Sequence, residues 1–348
     1  MTHPRKDDYD TGNPEIDEKL RNILSEWGVT MDQGRFFEML VTVLKFAEDH
    51  PTRADIKQFN QTMKELRYAN KVFQPYLGTR RLSIFGSART SPSAPEYQYA
   101  LEFARRMRDI GYMIITGGGP GVMAAAQAGA GRERSFALNI NLPFEQAANE
   151  TILGDRKCIN FKYFFNRKVN FIKHAHAMVA FPGGFGTMDE VFETLTLIQT
   201  GKSSLVPVVL IDHPDRGEYW NGLYTFLQKE MLENGLISPE DFSLFKITTN
   251  LDEAQHEILH FYHNFHSYRY IKEICVIRVQ RELPDSALNE LTHEFQDLLP
   301  EGDVIHQGQA FPEEINEPEY GSLPRVWFVF HHKKFGRLRQ LIDQINEF

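Results

Sequence analysis

The sequence predicts an α/β protein: a doubly wound parallel sheet, preceded by a helical segment and followed by a small α+β module. Three observations predict it. First, short apolar runs alternate with helix-length amphipathic stretches from Arg81 to about residue 266. Strands separated by helices of 10–15 residues read as crossover units, which give a parallel sheet covered on both faces. Second, several of the apolar runs end in glycine-rich turns. Third, the alternation stops near residue 270, where strand-like runs crowd together.

Taken in order, residues 1 to about 78 read as helices. EKLRNILSEWG, RFFEMLVTVLKFAEDH and IKQFNQTMKELRYANKVF carry apolar residues at 3–4 spacing, and Pro51 interrupts them. The sheet follows. Strands are expected at LSIFG (82–86), YMIIT (112–116), SFALNINL (135–142), AMVAF (177–181) and LVPVVLI (205–211). Helices are expected at 97–111, after GGGPG, at 162–177, at 188–201, near 218–234 and at 251–266. From about 270, IKEICVIRVQ, GDVIHQGQAF and RVWFVFHH read as strands, and DSALNELTHEFQDLL and KFGRLRQLIDQINEF as helices. That β-α-β-β-α order is ferredoxin-like but short of one strand. The expected domains are therefore 1–78, 79–268 and 269–348.

Composition narrows the function. The 348 residues carry a net charge of −9, which argues against a protein that coats nucleic acid through a basic stripe. A phosphorylated small molecule needs only local donors and stays open. No run of about 18 apolar residues exists, so no membrane-spanning helix is expected. The N-terminus is polar and acidic, with no apolar core of a secretion signal. Cys158 and Cys275 make no metal spacing, and His174 and His176, two apart, do not share a helical face. A cytoplasmic, reduced protein without a metal is the expectation.

The chemistry is expected at the strand ends, where sheets of this kind bind ligands. Gly86 and Ser87 close the first strand, and small residues there let backbone amides approach a phosphate. In GGGPGVMAAA, Gly119, Gly121 and Ala124 fit G-x-G-x-x-A, the dinucleotide fingerprint. Pro120 interrupts that match, and the next strand ends without an acid at its tip, Glu145 coming a few residues late. A phosphate or ribose cradle using Gly118 and Gly119 fits without NAD. The third turn is PGGFGTMDE. Pro182 stops a strand, and Gly183, Gly184 and Gly186 allow close backbone approach. Thr187 and Glu190 have the T-x-x-E spacing of a capping box. A capping box does not call for three glycines before it, and the amides they leave free at the positive end of a helix suit a phosphate. Arg167 and Lys168 lie 23 and 22 positions before Glu190, either as a solvated basic face or beside the same ligand.

FGSAR, GGGPGVM, FFNRK and PGGFGTMDE, in that order over about residues 80–265, resemble the LOG (Lonely Guy) family, whose members often carry a lysine decarboxylase label. The resemblance implies hydrolysis of nucleoside 5′-monophosphates, cytokinin nucleotides or AMP among them, to free base and ribose 5-phosphate, with no cofactor and no metal. It implies Arg167 and Glu190 as the catalytic pair. It implies Gly183, Gly184, Gly186 and Thr187 as the phosphate loop, with Gly86, Ser87, Gly118, Gly119 and Lys168 on the substrate. It also implies a homo-oligomer, a nucleoside monophosphate as partner, and neither nucleic acid nor membrane. Two other classes fit the same turns: a nucleotide-binding regulator without catalysis, and a dinucleotide-dependent oxidoreductase favoured only by G-x-G-x-x-A.

Overall fold

The computed structural model of the chain describes residues 9–140, 148–330 and 333–348. Leu142 at the end of the third expected strand, Glu145, and His331 and His332 of the last one lie outside the described residues. The chain parts into two compact units between Glu65 and Leu66. The first holds helices α1 (Pro14–Glu26) and α2 (Gln33–Glu48) and the start of α3 (Arg53–Phe73). Asn13 starts α1, its side chain accepting the Glu15 amide, the service expected of an N-cap asparagine. Leu24, Phe37 and Val41 form this unit's small core.

The second unit is built on seven parallel strands. In chain order come β1 (Arg81–Phe85), α4 (Pro95–Asp109), β2 (Met113–Thr116), α5 (Val122–Ala130), β3 (Ser135–Ile140) and β4 (Cys158–Phe161). Then follow α6 (Phe164–Lys173), β5 (Ala177–Ala180), α7 (Phe185–Gln199), β6 (Val208–Ile211), α8 (Tyr219–Phe226), β7 (Lys246–Thr248) and α9 (Leu251–Phe261). The strands lie in the order β4-β3-β2-β1-β5-β6-β7. Both faces are covered. Leu82 and Ile84 of β1 pack on one side with Phe103 and Ala125, whereas Phe85 packs on the other with Phe171 and Leu210. Full burial explains why these strands read as continuous apolar runs. The order reverses between β1 and β5, so the turns after those two strands open at the sheet's switch point.

The third layer of the prediction changes in detail. The C-terminal sheet has four strands, β8 (Phe265–Ile271), β9 (Ile274–Val279), β10 (His306–Gly308) and β11 (Arg325–Val329), with α10 (Asp285–Glu294) and α11 (Phe335–Ile345). All pairs are antiparallel, in the order β10-β11-β9-β8. No strand is missing from the ferredoxin-like pattern. Its edge strand comes from before the module: β8 occupies the place beside β9 and uses residues assigned above to the end of a helix, because α9 stops at Phe261. The module also shares one apolar cluster with the parallel sheet, joining Phe136 and Leu210 to Cys275, Phe328 and Ile345. Arg278 and Arg325, both buried, bind Glu314 and pin the 311–324 connection, which includes an Arg325 Nε to Glu314 bond of 3.1 Å.

Candidate active site

Three turns meet at the switch point, and backbone hydrogen bonds tie them together. The Ser87 amide donates to the Pro182 carbonyl at 3.0 Å, and the Val122 amide donates to the Ser87 carbonyl at 3.0 Å. The turn after β1 is thus held between the other two. The approach demands glycine in two places. Gly121 has φ +67°, and a Cβ there would stand 2.2 Å from the Ser87 carbonyl oxygen. A Cβ on Gly183 would stand 2.1 Å from Thr187 Oγ1.

α7 begins at Phe185, with Gly184 as an extended N-cap that has no side-chain hydrogen bond. This corrects the expected capping box. Thr187 is three residues inside the helix, its amide bonded to the Gly184 carbonyl at 3.0 Å, and Glu190 lies in the second turn. The helix starts earlier because the glycines themselves take up its first turn. Ahead of Thr187, the Gly184, Phe185 and Gly186 amides have no acceptor within the helix. They carry the positive end of its dipole.

A cleft of about 1120 Å³ opens over this junction. Its wall includes Gly86, Ser87, Gly183, Gly184, Gly186, Thr187, Glu190 and Arg167, so eight of the eleven predicted site residues come together. Glu190 is only 7% exposed, and its Oε2 has no hydrogen-bond partner. Burial pushes its carboxyl up to about 7, against the opposing pull of Lys168 and Arg167. Such a group is the kind that marks a reaction site when it sits in a cleft. Arg167 Nε donates to the Leu138 carbonyl at 2.8 Å. Its guanidinium lies over the Phe171 ring and against Gly117. β3 and α6 together therefore fix the arginine in the wall of the cleft.

The other three predicted residues do not line the cleft. The carbonyls of Gly118 and Gly119 both accept from Asn149 Nδ2, at 3.0 and 3.1 Å. Lys168 Nζ lies 2.9 Å from Asp189 and 2.5 Å from Glu193. Burial alone would lower its pKa, but bonds to Glu193 and Asp189 outweigh that and hold it above the usual lysine value. A lysine so paired is a poor Schiff-base nucleophile. His174 and His176 pack instead of ligating: His174 stacks on Phe73 at 3.8 Å, and His176 Nδ1 accepts the Arg81 amide at 3.1 Å.

Sequence reasoning missed Tyr219, whose hydroxyl donates to the Gly183 carbonyl at 2.6 Å. Tyr219 sits in the connection after β6, the strand next to β5. The rule that placed the ligand at strand ends also reaches that connection, but no glycine motif flags it. Also missed were Met123 and Phe164 on the wall, and Phe185, which is 96% exposed.

The family model described as "Possible lysine decarboxylase" matches residues 121–258. Cytokinin riboside 5′-monophosphate phosphoribohydrolase LOG1 of Arabidopsis thaliana is 27% identical over 164 residues, 46% of this chain and 73% of that protein. The Arabidopsis thaliana LOG7 protein of the same description is 29% identical over 165 residues, 46% of this chain and 72% of that protein. Among solved structures, the molybdenum cofactor binding protein from Rippkaea orientalis matches with 18% identity and a TM-score of 0.36, over 51% of this chain and 94% of that one. The matched residues 121–258 hold Arg167, Glu190 and the glycine turn before α7, and over this segment the chain is similar to the LOG phosphoribohydrolases.

Proposed function

We propose that the chain hydrolyses the N-glycosidic bond of nucleoside 5′-monophosphates, releasing free base and ribose 5-phosphate. The observation that carries this reading is the buried carboxyl of Glu190, its Oε2 without a hydrogen-bond partner, one turn inside a helix whose glycine-framed N-terminus lines the same cleft. The free amides of that first turn suit the 5′-phosphate. The phosphate is remote from the reacting bond, so its binding energy positions the sugar. C1′ then lies beside Glu190. As the bond to the base breaks, its electron pair leaves with the base nitrogen and positive charge grows on the sugar, as in glycoside hydrolysis. Ionised Glu190 stabilises that charge and takes the proton of the attacking water. Arg167 adds a fixed cation at the same wall. Gly118, Gly119 and Lys168 serve without lining the cleft, Lys168 by holding Asp189 and Glu193 beside Glu190. The proposed catalytic domain spans 79–268, flanked by 1–78 and 269–348.

The relatives' names, which give cytokinin riboside 5′-monophosphates, support a nucleotide substrate; AMP is the other class proposed. The test is a panel of nucleoside monophosphates assayed for released base and ribose 5-phosphate. Binding without release would favour a regulator instead. We also propose a homo-oligomer, because α6 leaves Phe164, Phe165 and Val169 exposed, and Phe164 lines the cleft together with exposed Phe185. Sedimentation showing a single species at the 40.3 kDa chain mass would count against it.

A further inference from the structure

The cleft is larger than a monophosphate needs. Its volume of about 1120 Å³ exceeds the ~300–1,000 Å³ typical of sites for ligands of that size. Its wall falls into two groups. Met123, Phe164 and Arg167 accompany Glu190, where the ribose and the departing base belong under the reading above. Beyond the glycine turns at 86–88 and 182–189, the latter carrying Asp189, a second set is formed by Arg89, Thr90, Ser91, Glu96, Arg216 and Tyr219. They come from the connections after β1 and β6, on either side of the turn that follows β5. A base bonded to C1′ must stay with Glu190, so this second group has no work in cleaving a monophosphate.

Its chemistry is that of an anion site. Arg89 is exposed and, among the described residues, its side chain makes no ion pair. Its amide is turned back onto Ser87 Oγ at 3.1 Å, which holds the Ser87–Arg89 bend beside the proposed phosphate loop. Arg216 is paired with Glu96 at 3.0 Å, but its side chain is 68% exposed. An exposed pair of this kind is weak. A phosphate offers the same guanidinium a doubly charged, bidentate partner. Thr90 and Ser91 add hydroxyl donors on the same wall. Tyr219 bridges the two groups, bonded to the Gly183 carbonyl.

The geometry points to a second phosphate subsite formed by Arg89 and Arg216 with Thr90 and Ser91, so that the site accepts nucleoside 5′-diphosphates. This rests on the hydrolase reading and extends its substrate class. The chemical step is unchanged. Water adds to C1′, the C1′–N bond breaks, the base leaves with the bond's electron pair and gains the proton, and the other product is ribose 5-diphosphate. No electron carrier is involved.

The test uses the full-length protein with mono- and diphosphates of adenosine, guanosine, cytidine, uridine and an N6-substituted adenosine of the cytokinin class, and measures free base by chromatography. The expected result is base release from the diphosphate of whichever nucleoside is cleaved as the monophosphate. Arg89→Ala and Arg216→Ala should each raise the ratio of the diphosphate KM to the monophosphate KM about tenfold, the worth of a lost charge-assisted hydrogen bond. Release from a monophosphate alone overturns the second subsite and leaves the hydrolase reading standing. An equal rise of both KM values also overturns it, by placing the arginines on the first phosphate. Release from neither overturns the hydrolase reading itself.

Discussion

Gly183 and Thr187 are one helical turn apart, and the threonine side chain occupies the space a Cβ on Gly183 would need, with Oγ1 2.1 Å and its own Cβ 2.7 Å from that position. The turn after β1 closes the other side, with the Gly86 carbonyl carbon at 3.1 Å. No flexible side chain can swing away here, since Thr187 is buried in a helix and Gly86 presents backbone.

Gly183→Ala should therefore push the loop off α7. Overpacking of this kind costs about 1–3 kcal/mol, read as a lowered urea midpoint. Nucleotide affinity should fall by more than the stability loss explains, because the proposed phosphate amides lie on the displaced loop. A variant with wild-type affinity would remove the loop from the phosphate site.

Glu190→Gln should separate function from stability. A neutral amide neither takes a proton nor stabilises an oxocarbenium ion by charge, so turnover should fall about 10²–10⁴-fold. Stability should move the other way. The folded carboxyl titrates near 7 and the unfolded one near 4.3. The folded state thus holds its proton more tightly, and the resulting stability is complete below the unfolded value and lost as pH rises to about 7. At pH 8 the glutamine variant should be more stable than wild type by up to about 3 kcal/mol, and near pH 4 by almost nothing. Denaturant titrations at the two pH values check this. Equal effects at both would contradict the buried, unpaired carboxyl.

Phe335 joins the C-terminal module to the far end of the same helix. Gly201, just past α7, has φ +67°, and a Cβ there would meet the Phe335 ring at 2.1 Å. Phe335→Ala should cost about 3–5 kcal/mol, and a chain ending near residue 268 should unfold at lower denaturant than the full chain. Asn346, which accepts the Asn264 and Phe265 amides at 2.8 Å, would be lost in the same truncation. An undiminished midpoint in the truncated chain would show the module to be independent.

The central strands were legible because burial on both faces writes itself as apolar runs, as at Ile114 and Val209. β4 and β7 were not, since at the two sheet edges their burial is broken, and exposed Asn160 and Lys246 interrupt the apolar run. β8 was hidden by Tyr262, Phe265 and Tyr268, whose spacing continues the helical rhythm of α9. The site was legible where backbone had to approach, because only glycine permits it. Lys168 shows the limit. Its neighbour Arg167 reaches the cleft wall, whereas the Lys168 ammonium turns to Asp189 and Glu193, and adjacency in sequence says nothing of that turn.

That same lysine sets the last prediction. If ionised Glu190 acts on water and on the developing cation, kcat/KM should rise with pH and level off above about 7, the value to which burial pushes the carboxyl. The substrate's phosphate also titrates, near pH 6, so the limb needs an assignment independent of the substrate. Lys168 supplies one. Its charge pulls the Glu190 carboxyl down, while Glu193 and Asp189 push it up. Lys168→Met removes the first influence and unmasks the other two, so every change acts in one direction. The limb should move to higher pH, by about one unit for about 1.4 kcal/mol of lost interaction, while the plateau rate at pH 9 stays within reach of wild type. A phosphate titration would not move, because kcat/KM reports the free substrate, which no substitution in the protein alters. The measurement is kcat/KM from pH 5 to 9 for both proteins on one monophosphate. A limb that stays in place, or shifts to lower pH, would take Glu190 out of the proton-accepting role.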